Sequence, residues 1–328
     1  MAYHFPRRRG AALIAAVATA AMLLTGCAGS AAPETGDDGE LTAITVATLP
    51  IADFAPVYIG IEQGFFEEEG LEVTTEVVQS GSDAITGALG GTFDFFGVGY
   101  VPIFTAIGQG LPVRVVSAND NGGLTEETDW LGVMVNGDSS IAGPEDLAGK
   151  AVAVNALKGV LEITLRAALE SEGIDSSTVE FTEIPFPEMP AALAEGKVDA
   201  IFATEPFLTP SLEAGGKIVF SPYTTLSPAF PNASWGGTNA MIDSDPETVA
   251  AFVRAIQRSI QFAADNPDVL REVIPTFTRV TPEVADVMRL PDFNPEYDFD
   301  ALHDLLEYTQ KYGTLTDIPS DDVLFYQL

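Results

Sequence analysis

From Leu41 onward the sequence predicts an α/β protein with largely parallel sheets, and three observations carry that class. Short β-rich runs alternate with helical patterns, the alternation comes in two successive sets, and the chain turns mostly helical after Trp235. Hydrophobic residues make up 46% of the 328, enough to build a sizeable core in one large or two medium domains.

The first set opens with a strand at Ile44–Leu49, a helix over Pro56–Glu68, and a strand from Leu71 to Val78 that follows Gly70. Helical stretches around Ser82–Leu89 and Pro102–Gln109 alternate with strands at Phe93–Val98, Val113–Ser117 and Trp130–Val135. In the second set Ala151–Val154, Val179–Ile184, Val198–Ala203 and Ile218–Phe220 read as strands. Val160–Leu169 and Met189–Ala194 read as helices, and Glu205–Pro206 opens another, with proline where no backbone donor is needed. The last third is helical from Pro246 through Tyr312, broken at Pro267, Pro275, Pro282 and Pro291. In its final helix Leu302, Leu305 and Leu306 fall on one face, Asp304 and Glu307 on the other.

The first forty residues have a different composition. Arg7, Arg8 and Arg9 precede the apolar run Ala11–Leu24, which is shorter than the roughly 20 residues a membrane span takes. The run ends in Leu24-Thr25-Gly26-Cys27, which resembles the bacterial lipobox, so residues 1–26 are expected to be a lipoprotein signal peptide and Cys27 the lipidated first residue. Residues 27–40 are small, polar and acidic without apolar periodicity, and read as a flexible tether.

Composition excludes several functions. The chain carries 15 Lys+Arg against 48 Asp+Glu, and without residues 1–26 the balance is 12 against 48, or −36. Such a surface repels nucleic acid. One cysteine precludes a disulfide framework or a Cys-based metal cage. Of the two histidines, His4 and His303, only His303 follows the signal segment, which leaves little for transition-metal or Ser/His/Asp chemistry. The expectation is a protein that is not an enzyme, with no cofactor and no metal.

Four segments, in order, carry a family likeness: Ala55–Val73 (APVYIGIEQGFFEEEGLEV), Ala88–Asp94 (ALGGTFD), Glu145–Val154 (EDLAGKAVAV) and Ala192–Pro206 (ALAEGKVDAIFATEP). Together they resemble the substrate-binding lipoproteins of ABC transporters in the nitrate/sulfonate/taurine and thiamine-pyrimidine family. The resemblance implies a two-lobed, type II periplasmic-binding-protein-like fold with the ligand cleft between the lobes. It places lobe one at 41–134 plus 238–328 and lobe two at 135–237, with closure about crossings near Asn136 and Gly236-Gly237. It further implies a monomer, lipid-anchored through Cys27 on the extracytoplasmic side, that captures a small solute and docks on a permease driven by an ATPase. Some relatives of this fold synthesise the thiamine pyrimidine with a histidine and a cysteine-rich motif; no cysteine cluster exists in this chain. A sensory module on the same scaffold is the other reading.

Ligands of α/β sheets lie beyond the carboxyl ends of the strands, where helix N-termini begin. That rule nominates Asp53, Phe54, Ser80, Gly81, Ser82, Gly99, Tyr100, Asn155, Leu157, Lys158, Thr204 and Glu205, with Asn232 and Trp235 near the return crossing. Asp53 either caps the following helix or faces the ligand. Phe54 and Tyr100 are either packing residues or a stacking platform, and Ser80-Gly81-Ser82 is either a turn and cap or a place of close approach. Asp83 reads as a partner of the helix dipole, Glu205-Pro206 as a helix-start device, Trp130 as structural, and Trp235 as core or cleft. Lys158 is the only cation the rule puts near the cleft, with Arg114 one strand back. Aromatic side chains beside Asp53 and Asn155 suit a neutral or weakly basic flat heterocycle, such as a pyrimidine, ahead of a sulfonate or nitrate.

Overall fold

The computed structural model describes residues 41–313 and 315–326; the signal segment, Cys27 and the tether lie outside the described residues. Eleven strands are described: β1 (Thr42–Thr48), β2 (Leu71–Val77), β3 (Phe95–Gly99), β4 (Val113–Asn121), β5 (Leu131–Val135), β6 (Ala151–Val154), β7 (Glu180–Glu183), β8 (Ala200–Thr204), β9 (Lys217–Phe220), β10 (Pro231–Thr238) and β11 (Asp292–Phe293). They form two sheets, ordered β11-β4-β10-β3-β1-β2 and β7-β6-β8-β5-β9. The fold is two-lobed α/β, one sheet to each lobe.

Neither sheet is largely parallel. Each has a parallel trio, β2-β1-β3 in one and β7-β6-β8 in the other. Each trio is then joined by an antiparallel strand, β10 and β5 respectively. Those two strands are the ones the chain enters on arriving from the other lobe. The expected borders cut through them: residue 134 lies inside β5 of the second sheet, and residue 237 inside β10 of the first. The chain therefore crosses between lobes at 122–130 and 221–230, not at Asn136 or Gly236-Gly237. The two crossings run side by side, with Gly122 N–H donating to the Phe230 carbonyl at 2.9 Å and Ala229 N–H to that of Gly123 at 3.2 Å.

The run Pro-Asn-Ala-Ser-Trp-Gly-Gly-Thr of β10 has little β-propensity, so its strand is invisible to pattern. Packing explains it. A Cβ on Gly236 would stand 2.4 Å from the Phe96 ring, so glycine lets the central strand lie flat against its neighbours.

In lobe one the helix Pro246–Asp265 starts on Pro246 with Asp245 Oδ1 accepting from Thr248 N–H at 3.2 Å. Its apolar stripe, Val249, Phe252, Val253, Ile256 and Ile260, is buried, and Phe252 stacks on Phe95 of β3 with 3.9 Å between centroids. Truncating such a ring to alanine costs about 3–5 kcal/mol. In lobe two the helix Val160–Ser171 buries Leu161, Ile163, Leu165 and Leu169. Leu302, Leu305 and Leu306 of the helix Phe299–Lys311 are buried while Asp304 and Glu307 are exposed, as the periodicity predicts. Among the described residues no helix is long and apolar enough to cross a membrane.

Candidate functional site

The carboxyl ends of both parallel trios converge on one cleft. After β1 come Leu49, Ile51, Asp53 and Phe54; Gly81 and Ser82 follow β2, and Gly99 and Pro102 follow β3. From lobe two come Asn155, Gly159 and Val160 after β6, Phe186 after β7, and Thr204 at the end of β8. The antiparallel strands enter at the same edge, so they add their amino ends: Trp130 and Leu131 at β5, Asn232 at β10. The walls stand close together around about 60 Å³ of cavity, space for on the order of a few waters. A Cβ on Gly99 would lie 2.9 Å from Val160 of the other lobe.

Asp53 is the one Asp or Glu in the described lining of the cleft. Lys, Arg and His are absent from its described lining. Asp53 is 2% exposed and Oδ1 has no hydrogen-bond partner among the described residues; Oδ2 has the Asn232 amide at 3.5 Å. Behind it Asp120 of β4 receives the same amide at 3.4 Å and Ala233 N–H at 3.1 Å. Tyr223 donates to Asn232 Oδ1 at 2.7 Å, which turns the amide's N–H groups toward the two acids. Burial pushes Asp53 up to about 8 against the pull of a backbone N–H and Asn232. Burial and the Asp53 carboxyl push Asp120 well up as well. Across the cleft, Asn155 Oδ1 is also buried without a partner among the described residues.

Asp53 caps no helix: the short turn Ala52–Phe54 and the helix Ala55–Glu62 both lack a side-chain cap. Its backbone carbonyl accepts from Asn119 Nδ2 at 2.8 Å.

Residues 51–269 match the family described as NMT1/THI5 like. The chain belongs to the NMT1/THI5-like family. It is 27% identical to the formylaminopyrimidine-binding protein of Halalkalibacterium halodurans over 248 residues, covering 73% of this chain and 72% of that one. It is also 27% identical to the taurine-binding periplasmic protein of Escherichia coli over 227 residues, 69% of this chain and 68% of that one. Among solved structures, the ligand-binding component of an ABC-type import system from Staphylococcus aureus superposes with a TM-score of 0.75 at 13% identity, covering 87% and 96% of the two chains. That likeness concerns the fold.

Within this NMT1/THI5-like cleft the nominated residues divide. Asp53, Phe54, Gly81, Ser82, Gly99, Asn155, Thr204 and Asn232 line it. Ser80 does not; its Oγ accepts from Asp83 N–H at 3.2 Å and donates to Asp83 Oδ2 at 2.8 Å, capping the helix Gly81–Leu89. Tyr100 is 1% exposed and packs on Phe104, so it is core and not a stacking platform. Lys158 and Leu157 line an outer groove that shares Ser82, Pro102, Ala156 and Gly159 with the cleft; Lys158 has a φ of 56° and its N–H donates to Glu162 Oε2 at 2.8 Å. Glu205 is fully buried outside the lining. Its carboxylate accepts from Thr209 N–H at 3.1 Å and Oγ1 at 2.6 Å, serving the start of the helix Leu208–Glu213.

Of the two readings of Trp235 the structure has the core one, while Trp130, expected to be structural, lines the cleft. Trp235 sits behind the cleft, its Nε1 donating to Asn119 Oδ1 at 2.8 Å and its ring edge-on to Phe54 at 5.6 Å. Trp130 lines the cleft and donates to the Asn121 carbonyl at 2.8 Å. Trp130, Phe186 and Asp120 are the functional candidates that strand-end reasoning missed. His303 is exposed on the helix Phe299–Lys311 beside Asp321, outside the cleft lining. Among the described residues no group of three or more His, Cys, Asp or Glu is placed to hold a metal.

Proposed function

We propose that this chain is the extracytoplasmic solute-binding lipoprotein of an ABC importer, a monomer anchored through Cys27, and that its solute is a neutral or weakly basic flat heterocycle. One observation carries the ligand class: Phe54, Trp130 and Phe186 line the cleft together with Asp53 and Asn155, and no Lys, Arg or His stands among its described lining. Aromatic walls suit a ring, and an uncompensated acid suits a partner with N–H groups. Family membership and the names of the relatives support the importer role.

A sulfonate- or nitrate-type anion is the second reading. It is favoured by the N-termini of the helices Gly81–Leu89, Tyr100–Gly108 and Val160–Ser171, whose first residues or caps line the cleft. The test is a thermal-shift screen of the full-length chain in mild detergent against pyrimidines, alkanesulfonates and nitrate. A solute at 100 times its dissociation constant adds about 2.7 kcal/mol of stability. Pyrimidines are expected to raise the melting temperature selectively; a shift with taurine or nitrate alone would replace the first reading by the second. Mass spectrometry of the membrane-extracted chain, expected to show a diacylglyceryl group on Cys27, tests the anchor.

A further inference from the structure

We propose that Asp53 grips its solute by an amidine-type edge, a nitrogen and an amino group borne on one carbon, through two parallel hydrogen bonds. The inference rests on the reading of the cleft as the site for a nitrogen heterocycle.

Asp53 Oδ1 is buried, lacks a partner among the described residues, and belongs to a residue lining the cleft. Leaving such an oxygen unsatisfied is costly, so it marks the place of a missing donor. Oδ2 takes a long bond from Asn232 at 3.5 Å and keeps a lone pair. Asn232 is locked in orientation by Tyr223 and offers the acids donors alone. One oxygen is thus left for a donor and the other keeps acceptor capacity, in a frame fixed by Asn232 and Tyr223.

The surroundings decide what kind of edge fits. The titratable groups around this frame are Asp120 on β4, Tyr223 in the helix Pro222–Leu226, Tyr100 and Tyr297, and Asp292 on β11. All are acids, and no cation among them offsets a charge on Asp53. Burial accordingly favours the protonated carboxyl. A carboxylic acid shows one O–H donor beside one acceptor, and an amidine edge shows the reverse pair at matching spacing. Two bonds form wherever the proton rests, as acid with amidine or as carboxylate with amidinium, and the unit stays neutral overall. A sulfonate or nitrate has acceptors only, so it could take at most the single O–H of a protonated Asp53 and would leave the other oxygen without a donor.

Calorimetry on the full-length chain in mild detergent tests this, with 4-aminopyrimidine against 4-methylpyrimidine, which keeps the shape and lacks the donor. The amino compound is expected to bind about tenfold or more tightly. Asp53→Leu should bring the two affinities together. Asp53→Asn, whose amide also shows a donor beside an acceptor, should retain most of the preference and controls for folding. Equal affinities in the natural chain, nil binding of both included, or a preference that survives Asp53→Leu, would overturn the inference. Tight binding of either pyrimidine without preference would leave the heterocycle reading intact, whereas tighter binding of taurine than of both would remove that reading as well.

Discussion

Lys311 Nζ and Glu170 Oε2 stand 2.5 Å apart, joining the C-terminal helix that packs on lobe one to the helix Val160–Ser171 of lobe two. A second tie lies nearer the cleft: Ala52 N–H donates to the Glu205 carbonyl at 3.3 Å, and Arg289 N–H reaches Glu205 Oε1 at 3.4 Å. The two lobes are thus tied by an exposed ion pair and, nearer the cleft, by bonds to Glu205.

The Lys311–Glu170 pair is partly exposed, 57% for Lys311 and 33% for Glu170, which puts it among pairs that contribute about 0.2–1 kcal/mol. Lys311→Ala should accordingly speed release of bound solute by up to about fivefold, read by stopped flow, without lowering the melting temperature by more than a few degrees. The effect should shrink in 1 M salt, where the screening length falls to about 3 Å. A variant as slow as the natural chain at low salt would show that the pair does not hold the lobes shut.

The buried acids make stability depend on pH with an unusual sign. Asp53 ionises at about 3.8 when unfolded and is pushed up to about 8 when folded, so between those values the folded chain binds more protons. Its contribution is present in full below pH 3.8 and is lost as pH rises through about 8. Asp120, Asp129, Glu205 and Asp292 are raised too, chiefly by burial, and act in the same direction. The melting temperature should fall between pH 5 and 8.5. Asp53→Asn should flatten that slope and melt higher than the natural chain at pH 8.5. An unchanged slope in the variant would show that Asp53 is ionised when folded.

Packing at β10 yields a paired test. A Cβ on Gly236 would meet the Phe96 ring at 2.4 Å and Ile103 at 2.7 Å, whereas one on Gly237 would meet its nearest neighbour, Phe95, at an ordinary 3.5 Å. Gly236→Ala should cost about 1–3 kcal/mol through overpacking, seen as a lower urea midpoint at unchanged slope. Gly237→Ala should be nearly neutral. Equal midpoints would deny β10 its flat, close-packed place.

The α/β class, most strands and the cleft's parallel half are legible in sequence because a buried parallel strand is a continuous apolar run that ends at a loop. Asp53, Phe54 and Asn155 follow from that rule, whereas Leu49 and Ile51, which also line the cleft, do not. The antiparallel half is not legible in the same way. Counting only carboxyl ends overlooks strands that run the other way and bring their amino ends to the same edge. Trp130 was missed for that reason, and Asn232 was nominated only through its nearness to the crossing. Asp120 was missed because the apolar pattern of β4 fades at Ser117, while the strand continues through Asn121 on the strength of its pairing with β10. Lys158 and Ser80 show the opposite error. Both follow strand ends, but a positive φ turns one outward and a helix cap occupies the other.

The two tryptophans, the only ones in the chain, allow the cleft assignment to be read optically. Both are fully buried, so neither emission is dominated by water, yet only Trp130 lines the cleft. Trp235 has Phe54 between it and that space, edge-on at 5.6 Å, and its N–H is fixed by Asn119. A solute entering the cleft should therefore change the emission of Trp130 and leave that of Trp235 nearly constant. Trp235→Phe should keep the solute-induced signal seen with 4-aminopyrimidine, and Trp130→Phe should lose it. Trp130→Phe should also weaken binding, since the Asn121 carbonyl then loses its donor at the edge of the site. A signal that follows Trp235 instead would place the solute on the other side of Phe54, within the core of lobe one.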